Sequence, residues 1–395
     1  MNSILLKPGR ERPVQRQHPW IFSGAIEKIQ GDPTPGESVD VLDSEGQWLA
    51  RAAYSPQSQI RARVWTWDPD EAIDVAYFQR RILSAINMRS PLRLDPEVSA
   101  YREIFAESDL LPGLIVDRYG AFRVVQFLSQ GVERYRDQIL DILSQDTELE
   151  GIYERSDVDV RKLEGLNSKV GVVWGSEPPE RIKIREHAHH YWVDVYRGHK
   201  TGFYLDQRRN RREVGSWIFG DVLDAFCYSG AFTVAAIAAG AKSVVSVDSS
   251  EKALTFTSDN IALNDQVSSN TEQVEDDVFQ YLRYCRDSRR SFDTILLDPP
   301  KFAATSAQVE KAARGYKDIN LLAFKLLRPG GVLISFSCSG GVSQDLFQKI
   351  IADAALDAGV EANIRVVLGQ AEDHPVRLNF PEGRYLKGLI CSVRA

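Results

Sequence analysis

The sequence predicts an α/β protein whose C-terminal half folds as a doubly wound, mainly parallel, Rossmann-like sheet. Five strand–helix units follow one another from about residue 190, and two further apolar strands close the chain. Parallel strands need crossover connections, which helices usually supply, so this alternation indicates such a sheet. Ligands of these sheets bind beyond the carboxyl ends of the strands. The polar residues that follow each strand are therefore the first candidates for function.

Two smaller domains are expected before this sheet, because 395 residues are too many for one ordinary hydrophobic core. Residues 1–74 show the pattern of short strands and turns, most clearly in the two-sided alternation of QIRARVWTW. Residues 75–189 combine a linker helix, a hairpin across Tyr119-Gly120 and an amphipathic helix, which predicts a central α+β domain. The sheet domain then takes residues 190–395.

The charge distribution limits the partners that the chain can have. Hydrophobic residues make up 43% of the chain and charged residues 26%, which is typical of a globular protein. A net charge of −7 argues against a basic field over the whole molecule. Basic residues nevertheless concentrate in residues 1–20 and 198–212, where they could bind phosphates or simply remain solvated.

The sequence also predicts where the protein works. No apolar run reaches membrane-spanning length, and the first residues lack the apolar stretch of a signal peptide. The cysteines are too widely spaced for a zinc pattern and fit a reducing compartment: Cys227, Cys285, Cys338 and Cys391. We therefore expect a cytoplasmic protein without a membrane segment or a metal site.

The turn after the first strand of the predicted sheet contains a single glycine, in the segment AFCYSGA (225–231). Glycine lets the backbone approach a ligand, and the N–H groups that begin the following helix are free to bind it. A dinucleotide fingerprint needs three glycines so that a pyrophosphate can lie against the backbone. With Gly230 alone, the turn favours a ligand that has an amino-acid tail and no pyrophosphate, namely S-adenosylmethionine (SAM).

Carboxylates follow the first three strands of the sheet. Asp224 lies at the end of strand one, Asp248 ends strand two 24 residues later, and Asp276-Asp277 follow strand three. A carboxylate at the second position can accept both ribose hydroxyl hydrogens, and one at the third could meet the adenine amino group. Acids at strand ends also cap helices, which is the competing interpretation. Acids on three consecutive strand ends, beside a Ser-Gly turn, favour ligand binding.

The fourth strand leads into the segment DPPKF (298–302). Its two prolines fix the loop and hold the Asp298 carboxylate at a constant position, although a purely structural turn is the alternative. Amino-group methyltransferases often place an aromatic residue directly after the second proline. Lys301 stands there, so amine methylation is less favoured.

Cys338 follows the fifth strand, among the small residues of ISFSCSGG (334–341). A thiolate there could attack carbon-6 of a pyrimidine, which would make carbon-5 nucleophilic enough to take a methyl group from SAM. A base must then remove the carbon-5 proton. This chemistry needs a partly exposed thiol, whereas a buried structural cysteine is the alternative. Cys227, within the turn after strand one, is expected to serve packing.

Motifs along essentially the whole chain resemble the bacterial ribosomal RNA large subunit methyltransferase I family. The motifs are HPWIFSGAI, GLIVDRYG, GHKTGFYLDQR, LDAFCYSGAF, SVDSS, LLDPPKF, GYKDINLLA, SFSCSG, DLFQKIIADAA and PEGRYLKG. The resemblance implies a SAM-dependent enzyme that methylates carbon-5 of a cytosine in 23S rRNA. It also implies that residues 1–74 are an RNA-binding PUA domain, that residues 75–189 are an EEHEE-like domain, and that residues 190–395 have the class I methyltransferase fold.

The resemblance assigns roles to residues that match the motifs. Cys338 is implied as the nucleophile, with Asp298 positioning the base. The cofactor-binding residues are expected to be Phe203, Tyr204, Gln207, Asp224, Phe226, Ser229, Gly230, Asp248, Asp277 and Asp298. The candidate RNA contacts in the basic segments and after strand four are Arg10, Arg16, Lys200, Arg208, Arg209, Arg211 and Lys301.

Several questions stay open at this level. Many RNA cytosine-5 methyltransferases carry a second cysteine in their strand-four motif, and DPPKF has none, so Glu382 and His374 are candidates for the base that releases the product. Uridine-5 methylation shares the thiolate chemistry, purine amino-group methylation does not, and a protein that only binds RNA is a third alternative. The target nucleotide, the form of the RNA substrate and the oligomeric state are not determined.

Overall fold

The computed structural model describes residues 2–264, 270–303 and 308–394. The chain forms two compact units, each assembled from three segments. The first unit contains Met1–Ile184, Val193–Leu205 and Asp373–Gly383. The second unit contains Arg185–Trp192, Asp206–Glu372 and Arg384–Ala395.

The N-terminal part of the first unit is a sheet that has six strands among the described residues. The strands are β1 (Ser3–Leu6), β2 (Trp20–Phe22), β3 (Ile26–Gln30), β4 (Ser38–Leu42), β5 (Trp48–Tyr54) and β6 (Ile60–Thr66), and helix α1 is Arg12–Gln15. Their order is β2-β6-β5-β4-β1-β3, in which β1 pairs with β4 in parallel and all other pairs are antiparallel. Alternate side chains such as Ile4, Val39 and Val41 fill its core, as the period of two along a strand requires.

The second sheet of the first unit has five strands within the described part of the chain. The strands are β7 (Ala100–Phe105), β8 (Leu114–Tyr119), β9 (Phe122–Phe127), β10 (Gly151–Ser156) and β11 (Lys169–Gly175), in the order β11-β10-β9-β8-β7. The helices are α2 (Val75–Met88), α3 (Ser90–Arg93), α4 (Gln130–Arg134), α5 (Arg136–Leu143) and α6 (Val160–Leu163). Helix α2 begins where the Asp74 carboxylate accepts from the Tyr77 N–H at 2.9 Å, and its apolar face packs on the same core as α5.

The second unit is built on one large sheet, which has seven strands among the residues that the structure describes. A hairpin of β12 (Ile182–Glu186) and β13 (His189–Val193) precedes it in the chain. The strands of the large sheet are β14 (Asp221–Ala225), β15 (Ser243–Asp248), β16 (Thr271–Glu275), β17 (Phe292–Leu297), β18 (Leu327–Ser337), β19 (Ala362–Gly369) and β20 (Lys387–Val393). The helices are α7 (Arg208–Val214), α8 (Ala231–Ala238), α9 (Glu251–Leu263), α10 (Val278–Asp287), α11 (Val309–Leu326) and α12 (Gln344–Ala358).

The strand order of this sheet is β16-β15-β14-β17-β18-β20-β19. The first five are parallel, and β20 lies antiparallel between β18 and β19. The order reverses between β14 and β17, which creates the crevice where ligands of doubly wound sheets bind. Both faces are buried, because successive residues such as Ile295 and Leu296 belong to different core clusters.

The described residues lack two kinds of feature. No helix combines the length and apolarity that are needed to cross a bilayer. No three His, Cys, Asp or Glu side chains converge in a way that could hold a metal ion.

Candidate active site

The turn after β14 is held in an unusual backbone conformation. Phe226 and Tyr228 have φ values of +63° and +49°, and Gly230 has a φ of +73°. The left-handed region costs a non-glycine residue on the order of 1–3 kcal/mol, and such strain persists only where the surroundings impose it. Helix α8 begins at Ala231, directly after this turn, so its first N–H groups belong to the same site.

Side chains of α9 hold the turn in place. The Asn260 amide donates from Nδ2 to the Ser229 carbonyl oxygen at 2.8 Å, and Thr257 donates from Oγ1 to the Tyr228 carbonyl oxygen at 3.0 Å. Gly230 also packs directly on this helix, because a Cβ atom there would lie 2.4 Å from Thr257 Cγ2. The strained turn is therefore fixed by two hydrogen bonds and by one close approach that only glycine permits.

Three carboxylates converge at the carboxyl ends of the parallel strands. Asp224 on β14 is 1% exposed and accepts from Thr233 Oγ1 at 2.7 Å. Burial raises the pKa of Asp224 to about 7, and the negative charges of Asp298 and Asp248 add to the rise. The structure thus brings together the acids that follow strands one, two and four.

Asp248 and Asp277 both stabilise local backbone. The two oxygens of Asp248 accept from the N–H groups of Tyr228 (2.9 Å) and Ser250 (3.0 Å). Asp277 accepts from the Gln280 N–H at 3.0 Å and caps α10, which is the alternative that the sequence left open for strand-end acids. A carboxylate has about four acceptor positions, so Asp248 and Asp277 can accept further hydrogen bonds besides those from the backbone.

The described residues fit a ligand that carries an amino-acid tail and an aromatic base. Ser229 is buried, and its Oγ has no hydrogen-bond partner in the part of the chain that the structure describes. Phe226, Phe279 and Phe302 form a row with ring centroids 6.4 and 6.0 Å apart. Phe279 and Phe302 were not among the residues expected at the site, although Phe279 stands two residues after Asp277 and Phe302 ends the DPPKF segment.

Gln207 positions the acid of the DPPKF loop. Its Nε2 donates to Asp298 Oδ2 at 2.9 Å, while its Oε1 accepts from Asn210 Nδ2 at 2.6 Å. These two bonds fix the orientation of the amide and thereby the direction of the carboxylate. Gln207 and Asp298 are both in the second unit.

Phe203 and Tyr204, which were expected to contact the cofactor, belong to the first unit. Phe203 is buried there. The Tyr204 hydroxyl lies 3.1 Å from His199 Nδ1, and Lys200 Nζ lies 4.4 Å from the centre of the Tyr204 ring. A cation over an aromatic face is a stabilising arrangement, so Lys200 has a defined position although it is exposed.

Cys338 lies directly after β18 and is half-buried, whereas the other three cysteines are buried. Its Sγ is 3.9 Å from the carbonyl oxygen of Pro299, in the loop after the neighbouring strand β17. Cys227 is different, because burial raises the pKa of its thiol well above the ordinary value. Its burial agrees with a packing role, whereas Cys338 keeps the partial exposure that a reacting thiol needs.

The basic residues expected to contact RNA divide into two groups. Arg208 and Arg211 are only 1% and 3% exposed, and Arg211 pairs with Glu186 at 2.6 Å. Buried guanidinium groups with carboxylate partners cannot reach a phosphate, so the expectation for these two residues is corrected. The side chains that remain exposed are Arg10, Arg16, Lys200, Arg209 and Lys301.

A pocket of about 420 Å³ opens in the first unit. Its walls include Arg10, His18, Trp20, Phe22 and Glu382, of which Phe22 is 49% exposed. The Trp20 and Phe22 rings meet edge to face with centroids 6.2 Å apart, and His18 lies 3.2 Å from Glu382. An exposed ring beside an arginine can stack a nucleobase and bind its phosphate, so the pocket is chemically suited to single-stranded RNA.

The two candidates for the proton-removing base are also in the first unit. His374 is buried, and its Nδ1 lies 3.0 Å from Asp373 Oδ1. Glu382 lies against His18 at the pocket described above. Both side chains therefore have structural partners of their own.

Comparison with known sequences agrees with this architecture. A family model described as a PUA-like domain matches residues 4–67, and one described as S-adenosylmethionine-dependent methyltransferase matches residues 166–361. Ribosomal RNA large subunit methyltransferase I of Yersinia pestis bv. Antiqua (strain Angola) is 50% identical over 391 residues, or 99% of this chain and 99% of the relative. The protein of the same name from Yersinia pseudotuberculosis serotype O:3 (strain YPIII) has the same identity and coverage.

Solved structures share the fold over the full length. A Streptococcus mutans protein assigned as a SAM-dependent methyltransferase has a TM-score of 0.86 at 24% identity, with 100% of both chains covered. A methyltransferase solved with SAH has a TM-score of 0.87 at 23% identity and the same coverage. The predicted fold class and the predicted cofactor, SAM, are confirmed. With half of its residues identical to those relatives over nearly all of its length, the chain belongs to the ribosomal RNA large subunit methyltransferase I family.

Proposed function

We propose that this protein methylates carbon-5 of a cytosine in 23S rRNA through a covalent bond between Cys338 and carbon-6 of the base. One observation carries the proposal. Cys338 is the half-buried cysteine of the chain, it follows the strand next to β17, and its Sγ lies 3.9 Å from the Pro299 carbonyl in the Asp-Pro-Pro loop. A thiol at this edge of the sheet faces the place where doubly wound sheets bind their ligands.

The chemistry balances without a metal or a redox partner. The Cys338 thiolate forms a bond to carbon-6, and the electrons of the carbon-5–carbon-6 double bond make carbon-5 nucleophilic. Carbon-5 would then take the methyl group from the sulfonium of SAM, whose sulfur–methyl bond would break and leave its electron pair on a neutral thioether sulfur. A base removes the carbon-5 proton, the electron pair left behind re-forms the double bond, and the carbon–sulfur bond breaks to regenerate the thiolate.

The cofactor site is proposed at the ends of β14, β15, β16 and β17. Bound SAM supplies a methyl group on a positively charged sulfur. The residues proposed to hold it in the second unit are Gln207, Asp224, Phe226, Ser229, Gly230, Asp248, Asp277 and Asp298, while cofactor binding by Phe203 and Tyr204 stays a prediction from the sequence. The Ser229 hydroxyl supports this assignment, because it is buried and has no hydrogen-bond partner among the described residues, and the proximity of the Asp224 and Asp248 charges also supports it.

The RNA contacts are proposed to come from the exposed basic residues and from the pocket of the first unit. A base inside a helix is closed to attack at carbon-6, so the target nucleotide must leave its stack. Phosphate contacts fix the position of the RNA, while the flipped base supplies selectivity. The aromatic walls of the pocket and the neighbouring Arg10 support binding of an unpaired nucleotide there.

The domain boundaries and the cellular location remain proposals. We divide the chain into residues 1–74, 75–189 and 190–395, supported by the end of β6 at Thr66 and the start of α2 at Val75. A cytoplasmic location is supported by the absence of disulfides among the four cysteines, because reducing compartments keep thiols free.

Uridine-5 methylation is the nearest alternative, because the same thiolate chemistry serves uracil. Purine amino-group methylation is less favoured, since Lys301 occupies the position where such enzymes often stack the base. A protein that only binds RNA would bind without transferring a methyl group.

The decisive experiment maps methylated pyrimidines in ribosomal RNA by mass spectrometry, with and without this protein. We expect one 5-methylcytosine in the large-subunit RNA to disappear when the protein is absent. Loss of a 5-methyluridine instead would reassign the substrate, and unchanged 5-methylcytosine would overturn the proposal.

A second experiment tests the nucleophile. Cys338→Ala should abolish methyl transfer to undermethylated RNA, while Cys285→Ala, at a buried cysteine on α10, should retain it. RNA that contains 5-fluorocytosine should trap the wild-type protein covalently, because fluorine blocks removal at carbon-5. Retained turnover by Cys338→Ala would exclude the thiolate mechanism.

A further inference from the structure

Lys387 lies beside the nucleophile in three dimensions, although it is far from it in sequence. It opens β20 and pairs in register with Ser337, the last residue of β18. Its Nζ donates to the carbonyl oxygen of Ser339 at 2.6 Å, across 48 residues of chain. Lys387 is thus tied to both neighbours of Cys338, to Ser337 through backbone strand pairing and to Ser339 through the hydrogen bond of its ammonium group.

The burial of this lysine requires an explanation. Lys387 is 2% exposed, and among the described residues no carboxylate forms an ion pair with it. A buried ammonium without a counter-charge is costly, and burial accordingly lowers the pKa of Lys387 to about 8. Cys338 acts in the opposite direction and favours the charged lysine. The thiolate is therefore the anion available to this cation.

Other ionisable groups face the same place from the neighbouring elements. Lys301, in the loop after β17, disfavours the charge on Lys387. Tyr316, on α11, shares a hydrogen bond with Ser339 Oγ at 3.0 Å, and its pKa is raised by burial and also by the charge on Cys338. Asp298 is directed instead to Gln207 at 2.9 Å. Of these groups only Lys301 can carry a positive charge, and Lys301 is exposed, whereas Lys387 is buried.

We propose that Lys387 is a positioning residue that holds its ammonium group beside Cys338 and stabilises the thiolate form of that cysteine. The sulfur–hydrogen bond breaks and its proton passes to solvent, while the ammonium group keeps its own protons and offsets the negative charge that remains on sulfur. This inference deepens the proposed function, since a stabilised thiolate matters for catalysis only where Cys338 is the nucleophile. It concerns the reactive state of the cysteine in the free protein, so it can be measured without RNA or cofactor.

The experiment measures alkylation of Cys338 by iodoacetamide from pH 6 to pH 10, with the modified peptide followed by mass spectrometry. Thiolates, not thiols, react, so the profile reports the charge on sulfur. In Lys387→Met the midpoint of the Cys338 profile should move up by about one pH unit, with reaction at pH 7 about tenfold slower. Lys387→Arg should stay close to wild type because it keeps the charge. The buried Cys285 is an internal control.

Two outcomes would overturn the inference, and both differ from failure of the proposed function. The first is an unchanged alkylation profile in folded Lys387→Met. Should that variant fail to fold, Lys387→Gln provides the same neutral comparison with a polar end, and an unchanged profile there has the same meaning. The second outcome is a shifted profile in Lys387→Arg equal to that of the neutral variants. Methyl transfer by Cys338→Ala would instead refute the nucleophile and leave the alkylation result intact.

Discussion

Replacing Asp224 by asparagine should stabilise the protein at alkaline pH. Asp224 is 1% exposed on β14, and burial raises its pKa to about 7 from an ordinary value of 3.8. The folded state therefore holds a proton that the unfolded state has lost between these two pH values. Stability associated with this group is complete below about pH 3.8 and is lost as the pH rises towards 7. Asp224→Asn carries no charge and has no such loss.

The size of the effect follows from the difference between the two pKa values. At about 1.36 kcal/mol per pH unit, the full cost of the buried charge above pH 7 is about 4 kcal/mol. Between pH 5 and pH 8 the difference in the free energy of unfolding between variant and wild type should grow by about 3 kcal/mol. The reason is that about two of the roughly three pH units between the two pKa values lie above pH 5. In the wild type Thr233 Oγ1 lies 2.7 Å from Asp224 Oδ2. Asparagine has nearly the shape of aspartate, so its side-chain oxygen can still accept this hydrogen bond.

The assay is chemical denaturation of wild type and variant at pH 5, 6, 7 and 8, compared as differences in the free energy of unfolding. Asp221→Asn, at the other end of β14, is a matched control that should lower the free energy of unfolding instead of raising it. Arg328 holds the pKa of Asp221 below its ordinary value through a 2.8 Å contact, so that carboxylate stabilises the fold above its unfolded pKa and loses the effect as the pH falls. A difference for Asp224→Asn that is the same at pH 5 and pH 8 would refute this reasoning.

Two further predictions concern the turn after β14 and the pocket of the first unit. Gly230→Ala should weaken SAM binding, measured by calorimetry, about tenfold or more, because the added Cβ atom would lie 2.4 Å from Thr257 Cγ2. The control is Gly240→Ala, which should bind SAM normally, because Gly240 has a φ of +89° but no atom within 4 Å of the added Cβ. Equal affinities for the two variants would contradict the assigned role of the turn. Phe22→Ala should weaken binding of single-stranded RNA fivefold to a hundredfold through loss of stacking, whereas Leu94→Ala, at another exposed apolar residue, should leave RNA binding unchanged. Unchanged RNA binding by Phe22→Ala would show that the pocket is not part of the RNA-binding surface.

Local patterns in the sequence were sufficient for the strand–helix units of the large sheet, although not for the order in which its strands pair. The apolar residues of β17 alternate between its two faces, and α11 buries Ala312, Tyr316 and Ile319, whose spacing in the sequence is that of one helix face. The position of acids at the strand ends was also predictable, because the carboxyl ends of parallel strands meet at one edge. Asp224, Asp248 and Asp298 lie close enough for their charges to interact.

Side-chain exposure was not predictable from charge alone. Arg208, Arg209, Arg211 and Arg212 form one basic run in the sequence, yet Arg208 and Arg211 face inward on α7 while the other two are exposed. The deciding partner of Arg211 is Glu186, which stands 25 residues earlier in the chain. A pairing of that separation leaves no trace in local composition.

The sequence by itself determined the repeated strand–helix units, the residues at the strand ends and the cysteine that follows β18, because these depend on neighbours along the chain. Only the tertiary structure decided that β20 inserts between β18 and β19 and thereby carries Lys387 to the two residues that flank Cys338. Side-chain periodicity defines the faces of a strand, but it does not specify which strand will pair with it. The electrostatic surroundings of Cys338 were fixed by that pairing.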